Sequence, residues 1–260
     1  MLQNLRSSLR AAFSAHAGSW KRARGFTLIE VGIVLVVIGL VLSGGLLATG
    51  PVIKSAKISE TRQKMGTVEA ALLGYVISNG CLPCPAVRGS ATTGVSHNGT
   101  AAYTTACGSG GACTGGGSGL VPWVTLGISE NEATDGWNRR MTYAVDPALT
   151  DSSSDVQRNA SGSFPTFTSA LVMQNLSGTS LGYTSIAYIL VSHGPNMFGG
   201  ESVSGNTGAT PTDTSEVENA DNDVTYRTGA PSGTFDDILE FKSLQPLIIS
   251  CGTGSCGNPS

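Results

Sequence analysis

Glu30 is the one charged residue between Phe26 and Leu47, in a run dominated by Val, Ile, Leu and Gly. A carboxylate at bilayer depth costs roughly 2.5–3.5 kcal/mol, so a lone acid there implies work for it to do. The plain alternative is a signal anchor whose Glu30 rests near the lipid headgroups. A second chemistry lies in six cysteines, Cys81, Cys84, Cys107, Cys113, Cys251 and Cys256, all beyond the apolar run. An even number in an oxidising compartment reads as disulfides. Cys81-Leu-Pro-Cys84 has the spacing of a redox pair, but it follows a helix and Gly80. A reactive thiol needs the opposite end of a helix, where the dipole lowers its pKa. The other spacings repeat no zinc pattern. Cys251 and Cys256 are expected to close locally, and one of Cys81 or Cys84 to reach Cys107 or Cys113.

A third chemistry is the acidic group Asp221, Asp223, Asp236, Asp237 and Glu240. Calcium takes six to eight oxygens, which such loops supply readily; a solvated acidic turn is the simpler account. Otherwise the chain offers little to a catalyst. His97 and His193, the only histidines beyond residue 25, sit in or beside turn-forming sequence. No nucleophile elbow, H-E-x-x-H or phosphate loop is present, so no enzyme is expected. Arg139-Arg140 is too small a basic patch for nucleic acid.

The elements that must position these groups follow from periodicity. Phe26–Leu47 is long enough as a helix to cross a bilayer core. Met65, Val68, Leu72 and Val76 then form a helical stripe, with most charges off it, and Asn79-Gly80 supplies the stop. One long helix over 26–79 is expected, kinked at Pro51 and with its membrane half at 26–47, with two separate helices joined at Gly50 as the alternative. Residues 86–119 and 199–222 read as long loops. Leu120–Gly127 is an apolar island for the core, Asp135–Asn138 a turn, and Phe167–Leu176 an apolar segment of ambiguous type. Arg139–Val145, Ser185–Val191, Val224–Arg227 and Phe235–Phe241 read as strands, followed by an apolar tail at Leu247–Ile249. One helix followed by short strands is an α+β pattern. Arg6, Arg10, Lys21, Arg22 and Arg24 precede the apolar run with no acid among them, and all eighteen acidic residues follow. That asymmetry places residues 1–25 in the cytoplasm and the remainder outside.

Gly25-Phe26-Thr27-Leu28-Ile29-Glu30, with basic residues before it and the apolar run after, resembles the signal of type IV prepilins and type II secretion pseudopilins. The resemblance implies cleavage after Gly25 by a prepilin peptidase and N-methylation of Phe26. Glu30 would then meet the free amine of Phe26 on a neighbouring subunit. Asn79-Gly80, Asp135-Gly136-Trp137, Ser192-His193-Gly194 with Gly199-Gly200, and Asp236-Asp237-Ile238 follow the order of features in the major pseudopilin head. That likeness implies a calcium loop near Asp221, Asp223, Asp236 and Asp237. Asn79–Pro85 and Val121–Gly127 are similar to segments of cysteine-bearing pilin-like proteins.

The expectation is therefore an α+β, pilin-like chain. Residues 1–25 form a basic leader, 26–79 the long N-terminal helix, and 80–260 a periplasmic head with a small antiparallel sheet and disulfide-stapled loops. The expected role is a structural subunit, a minor pilin or pseudopilin, and not an enzyme. Its partners would be other subunits, the peptidase, the inner-membrane assembly platform and lipid, with no nucleic acid. A tip-located adhesive or substrate-binding module is the alternative. Calcium is the only cofactor the sequence suggests.

Overall fold

Among the described residues helix runs up to Asn79, and short strands and helices follow it. The computed structural model describes residues 25–46, 49–89, 113, 117–151, 156, 167–251 and 256. The chain divides into two compact units, Met1–Pro51 and Val52–Ser260. The first holds helix α1 (Leu28–Leu46). Helix α2 (Thr49–Asn79) lies almost wholly in the second. Pro51 falls in the first turn of α2, where a missing backbone donor leaves no helical bond unmade. Residues 47–48, which would decide between one helix and two, lie outside the described residues. Among the described residues no helix is long and apolar enough to cross a membrane, so they do not show the expected spanning half at 26–47. The 19 residues of α1 reach about 28 Å, just under a hydrocarbon core of ~30 Å.

In the second unit the apolar stripe of α2 is its buried face: Met65, Val68, Leu72 and Val76 are fully covered. Gly80 ends the helix at φ 79°, donating its N–H to the Val76 carbonyl at 2.7 Å, a left-handed stop that suits glycine. The stripe packs in one core with residues of a four-stranded sheet. That sheet comprises β1 (Ser118–Leu120), β3 (Thr142–Val145), β5 (Ile186–Ser192) and β8 (Ile238–Ser243), in the order β1-β3-β5-β8. Every pairing in it is antiparallel. All seven residues of β5 are buried, because the strand has a core on each side. Tyr188 and Leu190 face the α2 core, while Ile189 and Val191 face a second core with Leu171, Met173 and Tyr226. A register shift between Ile186 and Tyr188 lets Ala187 and Tyr188 face the same side.

Two small pairs complete the unit. β2 (Arg139–Arg140) pairs antiparallel with β6 (Glu201–Ser202). β4 (Val172–Asn175) pairs parallel with β7 (Thr225–Thr228), so the sheet structure is not wholly antiparallel. The apolar island supplies Leu120, the last residue of β1, and a short helix α3 (Trp123–Leu126), with Trp123 buried. The segment 199–222, expected as loop, contains β6 and helix α4 (Thr214–Glu218). The apolar tail is helix α5 (Leu244–Ser250). Most of the expected loop 86–119 lies outside the described residues.

The turn Asp135–Asn138 shows how local sequence fixes tertiary contact. Asp135 Oδ1 accepts from the backbone N–H groups of Trp137 and Arg139, and Asn138 takes φ 61°. Gly136 donates to Thr61 Oγ1 and accepts from Lys57 Nζ at 2.7 Å. A Cβ at Gly136 would meet the Lys57 backbone, so only glycine lets the turn sit against α2.

Disulfides join Cys84 to Cys113 and Cys251 to Cys256. Cys81 is also oxidised. Cys107 lies outside the described residues. The Cys84–Cys113 bridge spans 29 positions and ties the end of the α2 segment to the core. In the chain-entropy account a loop of that length is worth about 3 kcal/mol. The double variant Cys84→Ala/Cys113→Ala should therefore melt about 5–10 °C lower in thermal unfolding followed by circular dichroism. An unchanged midpoint would show that the bridge adds nothing to stability.

Candidate functional site

Two groups of residues carry the functional argument, one in each unit. In the first, Thr27 precedes α1 and its side chain accepts the backbone N–H of Glu30 at 3.3 Å. The Thr27 carbonyl accepts the same N–H at 3.0 Å. Thr27-Leu28-Ile29-Glu30 thus has the sequence spacing of a capping box, which places the acid in the first turn, at the positive end of the helix dipole. Around it the apolar side chains are exposed: Phe26 is 80 % exposed, Leu28 93 % and Leu35 64 %. A helix apolar all round requires an apolar environment. Gly25 and Phe26 lie just before α1 in open backbone.

In the second unit the carboxylates of Glu216, Asp236 and Asp237 each bring an oxygen within 4.8 Å of the others. Glu216 is on α4, which Asp213 caps by accepting the Ser215 N–H at 2.8 Å. Its oxygens take both contacts from the Asn196 amide, at 2.9 and 3.2 Å, and one also accepts the Asp236 N–H. Asn219 Nδ2 donates to Asp237 Oδ2 at 2.8 Å. Asp236 Oδ1 and Asp237 Oδ1 are buried and accept no hydrogen bond. Burial, then the neighbouring carboxylates Glu216 and Asp237, push Asp236 up to about 6. Burial raises Glu216 as well. Between the usual aspartate value and pH 6 the folded chain thus holds a proton that the unfolded chain has lost. Its contribution to stability is present at low pH and is lost as pH rises through 6. Carboxylates this close repel one another when charged, and a divalent cation would relieve them. Two orphaned oxygens among hard oxygen donors fit calcium chemistry.

The acids singled out in the sequence are only partly gathered here. Asp236 and Asp237 belong to the cluster. Asp221 and Asp223 lie in an exposed turn, where Asp221 Oδ1 accepts the Asp223 N–H and Asp223 Oδ1 the Thr225 N–H. Glu240 is on β8 outside the cluster. Glu216, twenty positions before Asp236, carried no local signal. His193 is buried, with Nε2 2.9 Å from Thr142 Oγ1 and Nδ1 3.6 Å from Asp237 Oδ1. His97 lies outside the described residues. The Arg139-Arg140 pair is structural: Arg139 donates to the Gly194 carbonyl, and Arg140 is buried against Glu201.

Residues 20–46 match the model of the prokaryotic N-terminal methylation motif. The chain therefore carries a signal of the type IV prepilin and pseudopilin kind, on the stretch that holds Gly25, Phe26 and Glu30. No curated protein and no solved structure matches the chain.

Proposed function

We propose that this chain is a structural subunit, a minor pilin or pseudopilin, of a type IV pilus or a type II secretion pseudopilus. The observation that carries the reading is an apolar helix exposed on all sides, with one acid in its first turn, inside the matched signal. Residues 26–47 enter the inner membrane, the basic residues before them stay in the cytoplasm, and the remainder lies in the periplasm. Prepilin peptidase cuts after Gly25, and the new amine of Phe26 is methylated. The assembly platform then passes the subunit into the filament, where its helix packs among those of other subunits. Nothing in this role requires a reaction at the head.

Processing is the direct test. Mass spectrometry of the mature chain should find an N-methylated Phe26 at its start. Gly25→Val, which puts a branched side chain at the cut, should leave a full-length precursor in the membrane. An assembled protein still beginning at Met1 would refute the proposal.

Calcium belongs to the same proposal as a stabiliser of the head. Glu216, Asp236 and Asp237 would hold it, and its charge would offset the repulsion among them. At a hundredfold excess over the dissociation constant such a ligand adds about 2.7 kcal/mol, or roughly 5–10 °C in melting temperature. The shift should appear on adding calcium after chelation and vanish in Asp237→Asn. Equal melting of the chelated and calcium-loaded protein would rule calcium out.

A further inference from the structure

Thr142 opens β3, His193 follows the last residue of β5, and Asp237 precedes the first residue of β8. Antiparallel register brings all three to one end of the sheet, at the acidic cluster to which Asp237 belongs. They continue a chain of contacts that begins on Arg88. Arg88 Nη2 donates to Thr142 Oγ1 at 2.7 Å, and its Nη1 donates to the Gly199 carbonyl at 3.2 Å. Thr142 Oγ1 lies 2.9 Å from His193 Nε2. His193 Nδ1 lies 3.6 Å from Asp237 Oδ1, and neither atom has a hydrogen-bond partner. Both side chains are fully buried, and Gly200 packs on the ring: a Cβ there would stand 3.3 Å from its Cγ. Asp236 keeps the cluster partly open to solvent.

Counting hydrogens gives these contacts a direction. A guanidinium only donates, so Thr142 Oγ1 is already an acceptor. Among the described residues the Thr142 hydroxyl hydrogen has one acceptor within reach, His193 Nε2. A ring hydrogen on Nε2 would strand that hydroxyl hydrogen in the interior, which buried polar groups avoid. Nε2 is therefore the acceptor, and the ring hydrogen sits on Nδ1, the nitrogen beside Asp237. The consequence falls on the cation. A lone pair on Nδ1 would add nitrogen to the oxygens of the cluster, the mixed set that zinc takes readily. A hydrogen there leaves oxygen alone, which suits calcium.

We infer that Thr142, held by Arg88, sets the ion preference of the acidic cluster through His193. Its hydroxyl keeps the ring hydrogen on Nδ1, so His193 serves Asp237 as a donor and does not ligate the ion. Thr142 and His193 are positioning residues, and the preference they impose is for hard, oxygen-seeking cations over zinc. The inference rests on the calcium reading above and supplies the reason for that choice of ion.

The test follows the ring nitrogens of His193 by NMR, in the full chain carrying isotope-labelled histidine and held in detergent micelles. His193→Gln assigns the signals. In the free chain the hydrogen should be found on Nδ1, and calcium chloride should leave it there. Zinc chloride should leave Nδ1 without a metal. Thr142→Asp offers an acceptor to Arg88 and Nε2 alike, the carboxylate–histidine arrangement that prepares an imidazole for zinc. That variant should take zinc on Nδ1 about tenfold more tightly than the unaltered chain, the scale on which such outer partners act. Thr142→Ser keeps the hydroxyl and should behave as the unaltered chain does. A hydrogen on Nε2 of the free chain would overturn the inference. So would zinc on Nδ1 of the unaltered chain, or zinc binding that Thr142→Asp leaves unchanged. Those three results leave calcium binding itself standing. A chain that holds the hydrogen on Nδ1 and binds neither ion would instead remove the calcium reading, and the ion preference with it.

Discussion

Glu30→Leu should be cleaved, methylated and retained in the membrane, and should nevertheless be almost absent from sheared filaments. The two halves of this result pull in opposite directions for a plain anchor. Removing an acid from an apolar helix makes insertion easier, so an anchor should tolerate or welcome the change. In a filament subunit of the proposed kind the carboxylate would meet the amine exposed by cleavage on the next subunit, in surroundings of low dielectric. Losing one member of such a pair strands the other charge at about 3–5 kcal/mol, which is two to four powers of ten in incorporation. Glu30 sits in the first turn, with Thr27 capping the helix, so its position is fixed relative to the start of the mature chain. Glu30→Asp keeps the charge and shortens its reach, and should fall between. The measurement is the fraction of each variant cross-linked to neighbouring subunits. Normal incorporation of Glu30→Leu would reduce the signal to a processing tag.

Arg140→Met should cost about 3–5 kcal/mol in urea unfolding, the largest loss expected from any single change in the head. The guanidinium is 4 % exposed and makes several contacts at once. It bonds Glu201 Oε1 at 2.8 Å, Glu130 Oε1 at 3.0 Å through Nε, and the Val203 carbonyl at 2.9 Å. It also lies 5.3 Å from the centre of the Trp123 ring. Methionine fills much of the volume but leaves the buried Glu201 without this guanidinium. Arg140→Lys should recover only part of the loss, because an ammonium cannot reproduce the planar fork. Arg139→Met removes one bond to a carbonyl and should cost about 1 kcal/mol. A loss for Arg140→Met no larger than that of Arg139→Met would contradict the account.

What could be read from the sequence was what repeats locally. The helical stripe Met65–Val76 was visible because a period near 3.6 needs only its own neighbours, and it is the buried face of α2. The strand SIAYILV was visible through β-branched and aromatic residues, and became the central strand of the sheet. Non-local pairings were not visible. The parallel match of Val172–Asn175 with Thr225–Thr228 joins segments some fifty residues apart, and neither announces the other. Glu216 was missed for the same reason. Nothing beside it in the chain marks it, and only the folding of α4 beside Asp236 gives it a role. Leu247–Ile249 read only as an apolar tail, and it lies in α5. Pro246 falls in the first turn of α5, where proline is tolerated.

The strand order has a bearing on how the head comes into being. β5 lies between β3 and β8, and β8 begins forty-six residues after β5 ends. A ribosome adds about 5–20 residues per second, so one edge of the most apolar strand waits seconds for its partner. During that interval its N–H and C=O groups are open to any other extended chain. Nascent heads arriving side by side could therefore pair with each other before each can close on itself. Crowding at the site of delivery becomes a hazard, and a chaperone that shields residues 186–192 until the last strand arrives would raise the yield of closed heads.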